Sequence, residues 1–387
     1  MKKLLLILIS FSLMLAGCKN PLSKPAPRGK EVDFENFVRS KPVKPLAQIY
    51  YEHGNLPNRP DFPYLVKASE VLKNYKNYLV IDLRRPEDYK AGHIPGAYNV
   101  PKDKVLDFLK KEHKAAAYPK VVFVCYTGQT ASYVTGIMRL AGFDNTYVML
   151  YGMSVWNSKF AGPLLNGVGD RYPDMVETGE GTAHPVAHHG EALPGHHIDW
   201  NKFPELPKQL PTLLIEQQAR KALKQERKDF LLKADEFFPY YKQNPLDYYV
   251  ICYLPAKFYV DGHIKGAVRF QPHKDLGVDG RLAEIPKDKK VLVYCKTGHT
   301  GSQSAAWLDM LGYKGHNLIL GSLSFMYSKW LKNEWMPDVK YLVNEYPVVE
   351  GDKPFSGKVQ AVAAPKKIAA PKPAVKHKKK EVTGGCG

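Results

Sequence analysis

The sequence predicts an α/β protein of two domains in tandem, each a parallel sheet flanked by helices. Three observations carry that prediction. The chain is 387 residues long, enough for two ordinary domains with their own cores plus linkers. Short apolar runs alternate with helical patterns and tight glycine turns, which are the parts of a parallel-sheet fold. The whole pattern then recurs once, at an offset of 170 residues.

The N-terminus is read first. Lys2 and Lys3 precede an apolar run, Leu4 to Leu15, too short to span a bilayer as a mature helix. It closes in Leu15-Ala16-Gly17-Cys18, which resembles a bacterial lipobox. That resemblance implies cleavage before Cys18 and acylation of Cys18 as the first mature residue; several acyl chains on one residue give stable anchoring. The competing reading is an ordinary secretory signal with a chance cysteine. Lys19, where an inner-membrane lipoprotein would carry Asp, favours the outer membrane by the same resemblance. Residues 1–17 are therefore expected to be a signal peptide and 18–65 a Pro-rich leader. A first domain is expected over 66–160, a connecting region over 161–230 and a second domain over 231–335. A short extension, 336–351, and a disordered Ala/Pro/Lys tail, 352–387, complete the chain.

The repeat supports the two domains directly. Aligning Leu79–Tyr98 with Tyr249–Val268 gives eight identities in twenty. The same offset pairs Cys125 with Cys295, Gly128 with Gly298, Thr130 with Thr300 and Ser132 with Ser302. In each copy, runs such as Leu79–Asp82 and Val121–Cys125, or Tyr249–Cys252 and Val291–Cys295, predict buried parallel strands. After Cys125 the chain turns at Gly128, and the spacing predicts a helix over Ser132–Ala141 stopped by Gly142. A further strand is expected over Thr146–Leu150, and an inter-domain packing helix over Leu213–Phe230.

The motifs are specific as a set. Asp82-x-Arg84, then Gly92-His93-Ile94-Pro95-Gly96-Ala97, then Cys125-Tyr126-Thr127-Gly128-Gln129-Thr130-Ala131, resembles the rhodanese family. The resemblance covers about 66–159 and about 230–331. It implies a sulfurtransferase that carries sulfane sulfur as a cysteine persulfide, with no cofactor and no metal. The partners it implies are a small sulfur-containing donor and a thiol acceptor, with nucleic acid not expected. It also implies that Arg84 helps bind anionic donors, with Asp82 in support.

The loop chemistry can be argued from the residues. A short turn between a buried strand and a helix points successive N–H groups into one bowl at a helix N-terminus, where negative charge is favoured. Cys125 and Cys295 open such loops and are the expected nucleophiles, with thiol pKa values depressed toward the reactive thiolate. Tyr126, Thr127, Gly128, Gln129 and Thr130 form the first bowl; Lys296, Thr297, Gly298, His299 and Thr300 form the second. The competing reading takes both cysteines as small buried hydrophobes in a fold without turnover. A tyrosine-phosphatase reading needs an arginine six residues after the cysteine, and those positions are Ala131 and Gly301.

The copies differ. Cys252 and Leu254 replace Asp82 and Arg84, so the second anion site is damaged, and Lys296 offers only a point charge in exchange. Cys252 and Cys295 are expected to end neighbouring strands, which makes Cys252 a candidate resolving thiol. Tandem members of the family usually keep only the C-terminal cysteine; here the better-formed site is the first. Five of the thirteen histidines, His184, His188, His189, His196 and His197, lie in the connecting region, where a solvated loop is favoured over metal binding. The formal charge of +18 is concentrated in part in the tail, which holds nine lysines after Asp352 and ends in Gly384-Gly385-Cys386-Gly387. Such a tail suits a spacer, or docking to an anionic surface or an envelope protein complex. The expected function is an extracytoplasmic sulfurtransferase or persulfide carrier in the cell envelope. The alternative is a non-catalytic, membrane-anchored scaffold subunit of an outer-membrane respiratory or redox complex.

Overall fold

A computed structural model describes residues 55–112, 115–181 and 210–354. The N-terminal apolar run with Cys18, the His-rich tract and the tail with Cys386 lie outside these residues. No helix among the described residues is long and apolar enough to cross a membrane.

The first sheet contains β1 (Leu65–Val66), β2 (Leu79–Asp82), β3 (Tyr98–Asn99), β4 (Val121–Val124) and β5 (Thr146–Met149). Their spatial order is β1-β5-β4-β2-β3 and every pairing is parallel. Every residue of β2 and β4 is buried, which explains why both read as continuous apolar runs. Each such Val, Ile or Phe removed from water contributes roughly 1.5–3 kcal/mol. Helices α1 (Ala68–Asn74) and α2 (Gln129–Leu140) flank the sheet. After the two-residue strand β6 (Val176–Glu177), α3 (Leu210–Lys224) leads into the second domain.

The second sheet repeats the first. It contains β7 (Leu231–Leu232), β8 (Tyr248–Cys252), β10 (Val268–Arg269), β11 (Lys290–Tyr294) and β12 (Lys314–Leu318), in the order β10-β8-β11-β12-β7, again all parallel. Read from the opposite edge, this is the topology of the first sheet. Helices α4 (Ala234–Gln243) and α5 (His299–Met310) occupy the places of α1 and α2. The expected α/β class, two parallel sheets flanked by helices in tandem, is the fold observed.

Two helices differ from their expected bounds. α2 begins at Gln129, directly after Gly128, and not at Ser132. The last residues of the cysteine loop are already the first turn of the helix, so loop and helix share one backbone. α3 ends at Lys224, and Arg227–Asp229 forms a separate 3₁₀ turn closed by reciprocal hydrogen bonds between Glu226 and Asp229.

The two domains share one core. α2 and α5 pack on each other, with Tyr133 donating to Asp309 Oδ2 at 2.6 Å and stacking on Phe230 at 4.0 Å. α3 lies across both, burying Leu214, Ile215, Ala219, Ala222 and Leu223 while Gln218 donates to the Asp309 carbonyl at 2.7 Å. Each domain also sends an arm onto the other. β6, which follows the first domain, pairs antiparallel with β9 (His263–Ile264) of the second. Residues after the second domain return to the first: Val349 pairs with His93, Glu345 with Asn157, and Trp156 donates to the Pro347 carbonyl at 2.7 Å.

Candidate active site at Cys125

Cys125 follows β4 directly and opens the four-residue turn that leads to Gln129, the first residue of α2. Its Sγ accepts the Gly128 N–H at 3.2 Å, and the N–H groups of Thr130 and Ala131 point to the same sulfur. Gly128 stands at φ +92°, a backbone setting open to glycine, and this turn of the chain aims the donors inward. A second turn braces the loop from behind. Met153 and Ser154 donate their N–H groups to the carbonyls of Cys125 and Tyr126 at 2.8 and 2.9 Å.

Burial pushes the Cys125 thiol above its ordinary value of 9, while the three backbone donors pull it back down. The net direction is upward, which corrects the depressed value expected from the helix N-terminus alone. A sulfur closed off from water loses more solvation as thiolate than three neutral N–H groups return. The resting side chain is therefore a thiol, held in a bowl already built for an anion.

Cys125 is 8% exposed and opens onto a cavity of about 1250 Å³. From the first domain come Arg84, Arg85, Lys102, Tyr126 and Thr130; Arg171, Lys224, Arg227 and Lys233 come from the connecting region and the second domain. Arg84 is 1% exposed at its side chain and grips both Asp82 oxygens, with its Nη2 also donating to the Gly92 carbonyl at 2.7 Å. Its Nη1 is buried without a hydrogen-bond partner. Lys102 donates to the carbonyls of Leu223 and Gln225, so its charge closes the C-terminal end of α3.

The second loop is built alike and closed. Cys295 is 0% exposed, its Sγ accepts the Gly301 N–H at 3.4 Å, and Lys296, Thr297, His299 and Thr300 are all buried. No residue of Cys295–Thr300 lines the cavity. Leu254, in the place of Arg84, is buried, and the Lys296 Nζ rests 5.5 Å over the Trp330 ring. Cys252 lies on β8, opposite Tyr294 of β11, and burial raises its thiol to about 12. Cys125, Cys252 and Cys295 are all free thiols.

The second loop is docked on the first. Gln129 donates through Nε2 to the Thr297 carbonyl at 3.0 Å, and Ser302 Oγ donates to the Gln129 carbonyl at 2.7 Å. His299 Nε2 accepts the Tyr151 N–H at 3.0 Å. Sequence reasoning placed Gln129 and His299 in their own loops and missed this exchange. It also missed the Tyr151-Gly152 turn, although the Leu320-Gly321 turn repeats it in the second copy with the same positive φ values.

The rhodanese-like domain model matches residues 67–159 and 250–329. A thiosulfate sulfurtransferase, GlpE, of Pseudomonas entomophila is 34% identical over 89 residues, 23% of this chain and 79% of the relative. Among solved structures, a rhodanese-related protein of Thermoplasma volcanium is 22% identical, covering 24% of this chain and 87% of its own, with a TM-score of 0.20. A thiosulfate sulfurtransferase of Pseudomonas aeruginosa is 17% identical, covering 71% of this chain and 46% of its own, with a TM-score of 0.25. With two copies of the domain in one polypeptide, the chain belongs to the rhodanese-like family of sulfurtransferases.

Proposed function

We propose that this protein is an extracytoplasmic sulfurtransferase or persulfide carrier whose working nucleophile is Cys125. The observation that carries the reading is the contrast between the loops: Cys125 faces the cavity inside a ring of N–H donors, whereas Cys295 is closed off. With thiosulfate as donor, the Cys125 thiolate attacks the outer sulfur. A Cys–S–S⁻ bond forms, the donor's S–S bond breaks, and sulfite leaves with the bonding pair. An acceptor thiolate then attacks the terminal sulfur, forms its own persulfide and releases the Cys125 thiolate. No external oxidant or reductant is consumed. Polysulfides and persulfides would enter by the same route.

The cavity suits anionic donors. Seven cationic side chains line it against four carboxylates, Asp88, Asp103, Glu226 and Asp235. Arg84 Nη1, buried and without a partner, is the donor best suited to an incoming oxyanion. Cys295 then serves as a secondary site and Cys252 as its resolving thiol only if the second loop opens. Acylation of Cys18 would hold the protein at the envelope, in the outer membrane by its sorting residue, with the Lys-rich tail free to meet an anionic surface.

The test is mass spectrometry of the full chain exposed to thiosulfate or polysulfide and then to a thiol acceptor. The expected result is one sulfur gained and then lost in the wild type and in Cys295→Ser, and none gained in Cys125→Ser. A wild-type chain that gains no sulfur from any donor after reduction would remove the catalytic reading and leave the scaffold role. The closed second loop already favours a structural part for the second domain.

A further inference from the structure

We propose that His299, a residue of the second domain, is a positioning residue for the Cys125 loop of the first, reaching across the domain interface to fix the turn that holds the nucleophile. The inference rests on Cys125 being the working thiol. His299 is wholly buried and has a hydrogen-bond partner at each ring nitrogen. Nε2 accepts the Tyr151 N–H, so that nitrogen carries a lone pair. Nδ1, 3.0 Å from Thr297 Oγ1, is then the protonated nitrogen and donates to the hydroxyl. Burial holds the ring's pKa down at about 3, so it stays neutral and Nε2 stays an acceptor across the working range of pH.

The ring touches the nucleophile's loop at two places. Tyr151 stands at φ +58° in the turn whose next residues donate to the carbonyls of Cys125 and Tyr126. Its N–H is donated to His299 Nε2 at 3.0 Å. The ring also fills the space beside Gly128, where an added β-carbon would lie 2.2 Å from Nε2. Gly128 is itself the source of one N–H aimed at the Cys125 sulfur. One imidazole therefore presses on the front of the bowl and ties down the turn behind it.

The first copy shows the same device reversed. Gln129 occupies the place of His299 in the repeat, takes a hydrogen bond from Thr127 as His299 gives one to Thr297, and reaches across to the second loop. Each loop is thus held in part by the fourth residue after the other loop's cysteine. This exchange gives the second domain a part in the chemistry even with Cys295 closed.

The experiment uses the full chain, with the Cys125 peptide read by mass spectrometry. Two rates are followed: sulfur gain from thiosulfate at fixed pH, and iodoacetamide alkylation across pH, which titrates the thiol without any donor. In His299→Ala, sulfur gain at Cys125 should fall ~10- to 100-fold, the scale expected when a reacting group is misplaced by about 1 Å. The alkylation titration should move to higher pH as the N–H ring loosens. His299→Gln, whose Oε1 can take the Tyr151 N–H, should stay within a few-fold of wild type, and Thr297→Val should move in the direction of His299→Ala by a smaller amount. A His299→Ala chain that melts as the wild type does and keeps both its rate and its titration overturns the proposal. So does a His299→Gln chain as impaired as His299→Ala, and Thr297→Val covers the case in which His299→Ala does not fold. If the wild type gains no sulfur, the transferase reading falls on its own account, while the alkylation titration still decides the role of His299.

Discussion

Replacing Asp309 by Asn should stabilise the protein at neutral pH and leave it unchanged in acid. Asp309 sits on α5 at the domain interface, 4% exposed, with Tyr133 donating to Oδ2 at 2.6 Å and the Gly315 N–H to Oδ1 at 2.7 Å. Burial raises its carboxyl from 3.8 to about 7, against the pull of those two donors. Because the folded value lies above the unfolded one, the group favours the fold fully below pH 3.8. That contribution is lost as pH climbs to about 7 and stays lost above it. The difference corresponds to about 4 kcal/mol, taken as a ceiling because some hydration of the folded site would reduce it. Asparagine keeps the Oδ1 acceptor for Gly315, offers Nδ2 to the Tyr133 oxygen, and never ionises. Urea unfolding of both proteins at pH 4, 5.5, 7 and 8.5 should show the advantage of Asp309→Asn growing between pH 4 and 7 and then levelling off. All other titrating groups are common to both chains and cancel in the difference. An advantage that does not change with pH, or one that shrinks as pH rises, would refute the reasoning.

Two further outcomes follow from the site. Since burial holds the Cys125 thiol above 9, alkylation and sulfur uptake at Cys125 should rise about tenfold per pH unit between pH 7 and 9; a plateau reached by pH 7 would show the bowl winning over burial. Gly152→Ala places a β-carbon 2.2 Å from the Cys125 carbonyl oxygen at φ +54°, so it should cost at least about 1 kcal/mol and slow sulfur uptake at Cys125. Thermal melting read beside the mass-spectrometric rate checks both parts, and a variant equal to wild type in each would sink the bracing role of this turn.

Much of the fold was legible because its signals are local and occur twice. Val121–Val124 reads as a buried strand on apolar content alone, and the match between Gly92–Ala97 and Gly262–Ala267 confirms the register of the repeat. The start of α2 was misjudged because Gln129 to Ala131 look like loop, whereas their N–H groups are the free first turn of the helix. What stayed hidden was everything that depends on which surfaces meet. Aligning the copies compares His299 with Gln129 but cannot say that each reaches into the other loop. Lys296, Thr297, His299 and Thr300 read as an open polar bowl, yet all are buried because α2 and α5 pack face to face. The direction of the Cys125 titration was hidden too, since a helix N-terminus is visible in sequence and the depth of a sulfur is not.

The exchanged arms set an order of events for the chain as it is made. Synthesis delivers the first domain's five strands by Met149, but the partner of His93 is Val349, some two hundred residues later. Domains usually close as they emerge, N-terminal first. Here the first sheet can form early, while the rim of its domain, Trp156 and Asn157 included, stays open until the segment after the second domain has arrived. The first domain is therefore completed by residues delivered some two hundred positions after its last strand, and a polypeptide interrupted before Val349 would present a first domain without that rim.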